Sequence, residues 1–439
     1  MRRVRAHGLA IWTVALLSAA LPACAHRTPP TPPPDMNAIA ESYVKLVLNV
    51  GQHDPDLVDA YYGDERWRPT GAPVALDVLV TEAQSLWSAV EHVPLAPNAD
   101  ELTRLRRAYL ARQISAIESR LAMLSGESYS FDEEAKLLYD VRPPDKSEME
   151  FAQTLAPLDG LLPGSGSLID RYTAFRQRYV IPPDKLDAVF KTAIAECRSR
   201  TLAHIPLPPD EQFTVEYVTG KSWSAYNWYK GHYRSVIQVN TDLPVTIDRV
   251  IDLACHEGYP GHHVYNVLLE KALVRDRGWV EYTVYPLFSP QSFVAEGTAN
   301  FGIEVAFPGE SRTTFERETL YPLAGLDPST AAAYALIQHI VDELSYAGNE
   351  AARRYLDGQI DRDAAARFLE TWALMPPDRA MQRTKFFDQY RSYVINYNLG
   401  RDMARSYIER QGGTSDAPDV RWREFGKLLA SPRLPSGLR

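Results

Sequence analysis

Three of the chain's ten histidines fall within eight residues, His256-Glu257-Gly258-Tyr259-Pro260-Gly261-His262-His263. Imidazole nitrogens bind zinc, and a glutamate beside a ligand histidine can take a proton from a zinc-activated water. In the His-Glu-x-x-His helix that performs this chemistry, the two histidines share a face at i and i+4. Here the i+4 position is Pro260, which offers no ligand. On an unbroken helix His262 lies about 120° off the face of His256, and His263 about 10 Å further along the axis. Each ligand nitrogen must stand about 2.0–2.1 Å from the metal, so the helix has to break between them. Pro260 lacks an N–H and Gly261 tolerates unusual backbone angles. A two-residue bulge at Tyr259-Pro260 returns His262 to the place an i+4 histidine takes. His262 is therefore the expected second ligand, with His263 as the alternative. Otherwise His263 serves as a supporting group or a donor toward substrate.

A catalytic zinc takes three protein ligands and leaves the fourth position to water. Ser292–Glu304 offers Glu296, Asn300 and Glu304 at i, i+4 and i+8, a polar stripe on an otherwise apolar helix. Glu296 is the natural third ligand, and Asn300 or Glu304 can orient a metal-bound histidine through its other nitrogen. The plainer reading is a solvated stripe on a surface helix. Away from these segments, His204, His232 and His339 read as structural or surface histidines.

These residues need a scaffold, and the apolar spacing predicts one that is mainly α. Helical periodicity runs through Ala38–Leu48, Leu76–Val93, Glu101–Leu124, Lys185–Ile205, Thr330–Leu344 and Arg362–Trp372. Phe213–Tyr217 and Ser235–Asn240 are the strand candidates, a small β-sheet next to the helix of His256. The second strand is expected to pair with an extended peptide. Glu118, Arg120 and the cluster Arg104, Arg106, Arg107 and Arg112 read as a solvated helix face. Residues 36–411 are expected to form one helical domain with a deep cleft, and 412–439 a loosely held tail.

The N-terminus reads as an address. Arg2, Arg3 and Arg5 precede an apolar stretch, Leu9–Ala20, too short to span a bilayer but suited to a signal peptide, residues 1–23. Leu21-Pro22-Ala23-Cys24 has the spacing of a bacterial lipobox, so Cys24 is expected to carry lipid; a plain signal peptide is the alternative. Residues 24–35 form a linker with prolines at 29, 30, 32, 33 and 34, an extended spacer. This predicts an exported protein anchored at the bacterial envelope, on the periplasmic face of the outer membrane. The chain has 439 residues and a net charge of −9, which argues against a general nucleic-acid binder. Three cysteines are too few for a disulfide scaffold, and Cys197 and Cys255 read as small buried thiols.

The string HEGYPGHH, followed by FVAEGTANFGIE, resembles the bacterial family known as domain of unknown function 885. Its members carry HE-x-x-P-G-H-H and an E-G-W-A-like segment, and are grouped with the gluzincin metallopeptidases. Asp59-Ala60-Tyr61-Tyr62-Gly63 is similar to the family's early Tyr-Gly motif, and Tyr397-Asn398-Leu399-Gly400 to its closing Tyr-x-x-Gly. The resemblance implies a helical, cleft-bearing zinc peptidase with one Zn2+ on His256, His262 and Glu296, and Glu257 as base. Thr298 replaces the family's Trp, and Arg391-Ser392-Tyr393 stands where Pro-Gly-Gln is frequent; both changes bear on the substrate pocket more than on catalysis. A peptide hydrolase of this kind needs an oxyanion donor, for which Tyr397 comes first, His263 second, then Tyr393 and Arg391. The competing readings are a non-catalytic zinc-binding envelope lipoprotein that keeps the fold for binding or assembly, and a hydrolase of non-peptide amides.

Overall fold

The computed structural model describes residues 35–221, 223–242 and 244–439. The expected signal peptide, Cys24 and nearly all of the proline linker lie outside the described residues.

The chain is mainly helical with small sheets. Helix α1 (Met36–Val50) starts at Asp35, whose carboxylate accepts from the Asn37 N–H. Strand β1 (Val58–Tyr61) follows, then α2 (Leu76–Glu91) and α3 (Glu101–Leu124), the latter capped by Asp100 on the Thr103 N–H at 2.7 Å. Next come α4 (Phe131–Tyr139), with a reciprocal Ser130–Glu133 capping box, and α5 (Pro183–Leu202), opened by a proline. A three-stranded sheet is built from β2 (Gln212–Val218), β3 (Ala225–Tyr229) and β4 (Arg234–Asn240). Helix α6 (Ile247–Leu253), α7 (His262–Leu269), β5 (Val284–Pro286) and α8 (Pro290–Ala306) carry the central segments. The C-terminal part holds α9 (Ala331–Glu343), α10 (Tyr346–Leu356), α11 (Arg362–Trp372), α12 (Pro377–Tyr390), α13 (Ile395–Arg410) and α14 (Pro418–Leu429). Two further helices, Glu148–Leu155 and Leu168–Gln177, lie between α4 and α5, and shorter helical turns make other connections. Among the described residues no helix is long and apolar enough to cross a membrane.

Helix α8 is buried on nearly every side, as its apolar composition requires. It crosses α13 at a point where two glycines meet. A Cβ on Gly297 would stand 2.5 Å from the Gly400 carbonyl carbon, and one on Gly400 2.8 Å from Gly297 Cα. Only glycine at both positions lets the backbones approach this closely.

The sheet order is β2-β4-β3, with β2 parallel and β3 antiparallel to β4. Ser235, Ile237 and Val239 of β4 are buried and alternate with half-buried neighbours. This corrects one expectation: β4 is the central strand, its backbone groups are used on both sides, and a peptide cannot add to it. The free edges belong to β2 and β3. A second ribbon pairs β1 with β5, Ala60 opposite Tyr285.

The arginine face of α3 is not simply solvated. Arg106 is buried and holds Glu281 with two bonds, at 2.6 and 3.0 Å, and Arg120 binds Asp54 at 2.7 Å while stacking on Phe288. A charge run does not reveal that a distant loop supplies its carboxylates. Nor is the segment after Gln411 loose. Trp422, Phe425, Leu428 and Leu429 of α14 are buried, and Phe425 meets Phe301 of α8 edge-on at 5.9 Å. Cys197 and Cys255 are free and buried.

Candidate metal centre

Helix α6 leads into the histidines through a widened turn, Ala254–Gly258. The Tyr259 N–H reaches back to Ala254 O at 3.3 Å and the Gly261 N–H to Cys255 O at 2.9 Å, five and six residues behind. At Tyr259 the backbone turns extended, the Tyr259-Pro260 peptide is cis, and α7 begins at His262. A Cβ at Gly261 would lie 1.9 Å from the His256 carbonyl oxygen, so no other residue fits. The break sits where Pro260 and Gly261 placed it.

Its result is that His256 Nε2 and His262 Nε2 face each other at 3.1 Å. Glu296, from α8, closes the triangle: Oε2 lies 3.2 Å from His256 Nε2, and Oε1 3.6 Å from His262 Nε2. Ligands at about 2.0–2.1 Å in tetrahedral array stand about 3.3–3.4 Å apart, which these three separations bracket. His256, Glu257 and His262 likewise offer ligand atoms within 4.8 Å of one another.

The surrounding bonds fix proton positions. His256 Nδ1 lies 3.2 Å from Asn300 Oδ1, and Asn300 Nδ2 donates to Tyr397 O at 3.1 Å. The amide therefore presents oxygen to the ring, His256 carries its proton on Nδ1, and Nε2 keeps its lone pair. Tyr393 OH donates to Glu296 Oε1 at 2.7 Å, while the buried Glu296 Oε2 has no hydrogen-bond partner. A bare imidazole lone pair beside an orphaned carboxylate oxygen is unfavourable unless a cation stands between them. The donor set and its spacing fit a divalent metal.

Glu257 is buried beside this triangle, and its backbone carbonyl accepts from Asn227 Nδ2 of β3 at 2.7 Å. Burial pushes its carboxyl up to about 7, helped by the Glu296 charge and opposed by His262 and Arg249. Glu296 moves the other way: burial works to raise it, but the neighbouring imidazoles of His262 and His256 hold it well below the usual carboxylate range. The two carboxyls are thus set apart, one poised near neutrality and one held ionised.

His263 departs from the expected role of donor toward substrate. It is fully buried, with Nδ1 2.9 Å from Ser235 Oγ and Nε2 2.9 Å from Glu211 Oε2. Glu211 also accepts from Tyr259 OH at 2.7 Å and pairs with Arg198 at 2.6 Å. With both nitrogens engaged, His263 has nothing to offer a substrate; it ties the helix break to the sheet. Arg391 is likewise removed from the list of donors, since it binds Glu134 at 2.5 Å. Glu304 pairs with Arg405, leaving Asn300 alone behind His256. Tyr397 is half-buried beside Glu296, and its hydroxyl makes no hydrogen bond among the described residues. Burial and the Glu296 and Glu257 charges keep it protonated, hence a donor. His204 stacks on Trp422, His232 meets Arg275, and His339 is exposed; none belongs to the centre.

Sequence reasoning missed Asp59 as part of the site. It sits on β1, and burial, then the charges of Glu296 and Glu257, push its carboxyl well up. Tyr285, on the paired β5, is raised by burial and then by Asp59 and Glu296. Nearly two hundred residues separate Asp59 from His256, and β1, paired with β5, carries it within reach of the Glu296 and Glu257 charges. The Asp59–Gly63 string was the available signal.

No family model matches the chain, and no curated protein matches it. Among solved structures it resembles a candidate lipoprotein from Colwellia psychrerythraea, with TM-score 0.51 at 14% identity, over 85% of this chain and 69% of that one. It is also similar to a candidate lipoprotein of unknown function from Shewanella oneidensis, with TM-score 0.42 at 12% identity over 81% and 72% of the two chains. A structure designated BsuCP gives TM-score 0.46 at 9% identity over 90% and 88%. The Colwellia likeness shows a shared fold. The resemblance to the domain of unknown function 885 family rests on the motifs themselves.

Proposed function

We propose that the chain is a zinc-dependent peptide hydrolase of the gluzincin type, held at the bacterial envelope by lipid on Cys24. The observation that carries this reading is the triangle of His256 Nε2, His262 Nε2 and Glu296 at 3.1–3.6 Å, with a Glu257 oxygen within 4.8 Å of both histidines' ligand nitrogens. Two imidazoles and a carboxylate with one position open form a catalytic donor set for zinc. Glu296 fits the ligand role because its Oε2, buried without a hydrogen-bond partner, lies 3.2 Å from His256 Nε2. Bound zinc supplies a Lewis acid for the scissile carbonyl and lowers the pKa of water.

The chain's own groups do the rest. Glu257 takes the proton of the attacking water and delivers it to the leaving amine, roles that suit a carboxyl near 7. Tyr397, protonated and unpartnered, donates to the oxyanion. Asn300 and Tyr393 hold the ligands in orientation. The lipobox-like segment, the proline spacer and the lipoprotein description of the Colwellia fold relative support an envelope location. Zinc analysis with hydrolysis of a peptide library, on wild type and Glu257→Gln, tests the proposal. One zinc per chain in both, with hydrolysis only in wild type, is the expected outcome.

A further inference from the structure

Basic side chains in this protein are generally paired, Arg176 with Asp248 and Arg312 with Asp252 among them. Helix α12 carries two arginines that are not, besides the exposed Lys385. Arg379 and Arg383 stand one helical turn apart, and among the described residues neither makes an ion pair or a hydrogen bond. Arg383 lies over Phe386 at 4.4 Å and Phe387 at 5.8 Å, and its Nε is buried without a partner. Arg379 is close enough to Arg176 and Arg249 for their charges, after burial, to depress its pKa. Like charges at i and i+4 destabilise a helix, and burying them costs more. The arrangement calls for an anion.

Its position says which one. A cavity of about 50 Å³ is lined by Trp223, Asn240, Arg249, Leu253, Arg379 and Gln382. Leu253 precedes Glu257 by four residues, about 6 Å along the helix axis. The charge of Arg249 reaches Glu257, and that of Arg383 reaches Tyr397. An extended peptide advances about 3.3–3.6 Å per residue, so the rise of about 6 Å between Glu257 and Leu253 corresponds to one to two residues of a bound peptide. A peptide always carries an anion at that distance if the bond is near its C-terminus.

We propose that Arg379, which lines this cavity, and Arg383, one helical turn further along α12, beside an Arg249 already paired with Asp252 at 3.1 Å, form a subsite for the free C-terminal carboxylate of a peptide, which makes the enzyme an exopeptidase that removes one or two C-terminal residues. The inference rests on the peptidase reading. In the step, the water oxygen joins the carbonyl carbon, the C–N bond breaks, and the water's proton passes through Glu257 to the released amine.

Calorimetric titration of zinc-loaded Glu257→Gln with N-acetyl-trialanine, its C-terminal amide, and an amidated peptide bearing one aspartate tests the subsite without turnover. The acid is expected to bind about ten- to a hundredfold tighter than either amide. Arg383→Gln in the same background should abolish that preference, and Arg383→Lys should restore part of it. Equal binding of acid and plain amide overturns the inference, as does tight binding of the aspartyl amide, which assigns the cluster to a side chain. Hydrolysis by wild type separates the two claims. If the acid is preferred in binding but neither peptide is cut, the peptidase reading fails and the carboxylate subsite stands. If both are cut equally and bind equally, the reverse holds.

Discussion

At His256 the ring proton sits on Nδ1 because Asn300 Oδ1 lies 3.2 Å away, and Asn300 is itself held by the Tyr397 carbonyl. Removing the amide frees the tautomer and the ring orientation together. Asn300→Ala is expected to weaken zinc binding about 10–100-fold, as loss of such a supporting bond typically does, measured by competition with a chelator. Unchanged affinity contradicts the assigned tautomer. Glu257 sets the acid side of the rate profile. Its carboxyl is raised to about 7 by burial, and only its ionised form takes a proton. A bound divalent cation favours the ionised form and draws this value down. The rate kcat/KM should therefore rise with pH through a single ionisation lying between the ordinary glutamate value and about 7. A profile flat across that interval argues against Glu257 as the base.

Among the elements, the helix break and the α8–α13 crossing do most of the positioning. Both are glycine sites: Gly261 under the His256 carbonyl, and Gly297 against Gly400. The crossing places Glu296 and Asn300 of α8 against Tyr397 of α13, with Tyr393 just before it, so a methyl there acts on the metal site as well as on stability. Gly400→Ala is expected to cost about 1–3 kcal/mol in denaturant unfolding and to lower zinc affinity in parallel. A stable variant with full affinity would mean that the crossing does not set the site. Much of this level was legible in the sequence. Glu101–Leu124 and Arg362–Trp372 form helices with the expected bounds; the need for a break between the histidines follows from helix geometry, and its place from Pro260 and Gly261. Strand β3 was not legible, because Ala225–Tyr229 lacks clear alternation and is fixed by pairing with β4. The helical spacing of Trp422, Phe425 and Leu429 is present, but its glycine- and proline-containing lead-in has the composition of a loose tail. The buried role of His263 depends on Glu211, Ser235 and Tyr259, which come together only on folding.

For the molecule as a whole, the site is assembled from parts of the chain that are far apart: β1, the α6–α7 break, α8 and the start of α13. That is why its ligands were partly readable while Asp59 and the arginines of α12 were not. A ligand histidine has a short-range signature, whereas an unpaired arginine is recognised only once its surroundings show no carboxylate. The fold relative supplies architecture and not chemistry, so the catalytic claim stands on geometry: three donors at tetrahedral spacing and a separate buried carboxyl raised toward neutrality. The most direct test is to purify wild type and Glu257→Gln, measure zinc per chain, and assay both on the same peptides. The account predicts one zinc in each protein, with hydrolysis in wild type and a loss of at least about a hundredfold in the variant. Equal hydrolysis by the two proteins, or loss of zinc from Glu257→Gln, would contradict it.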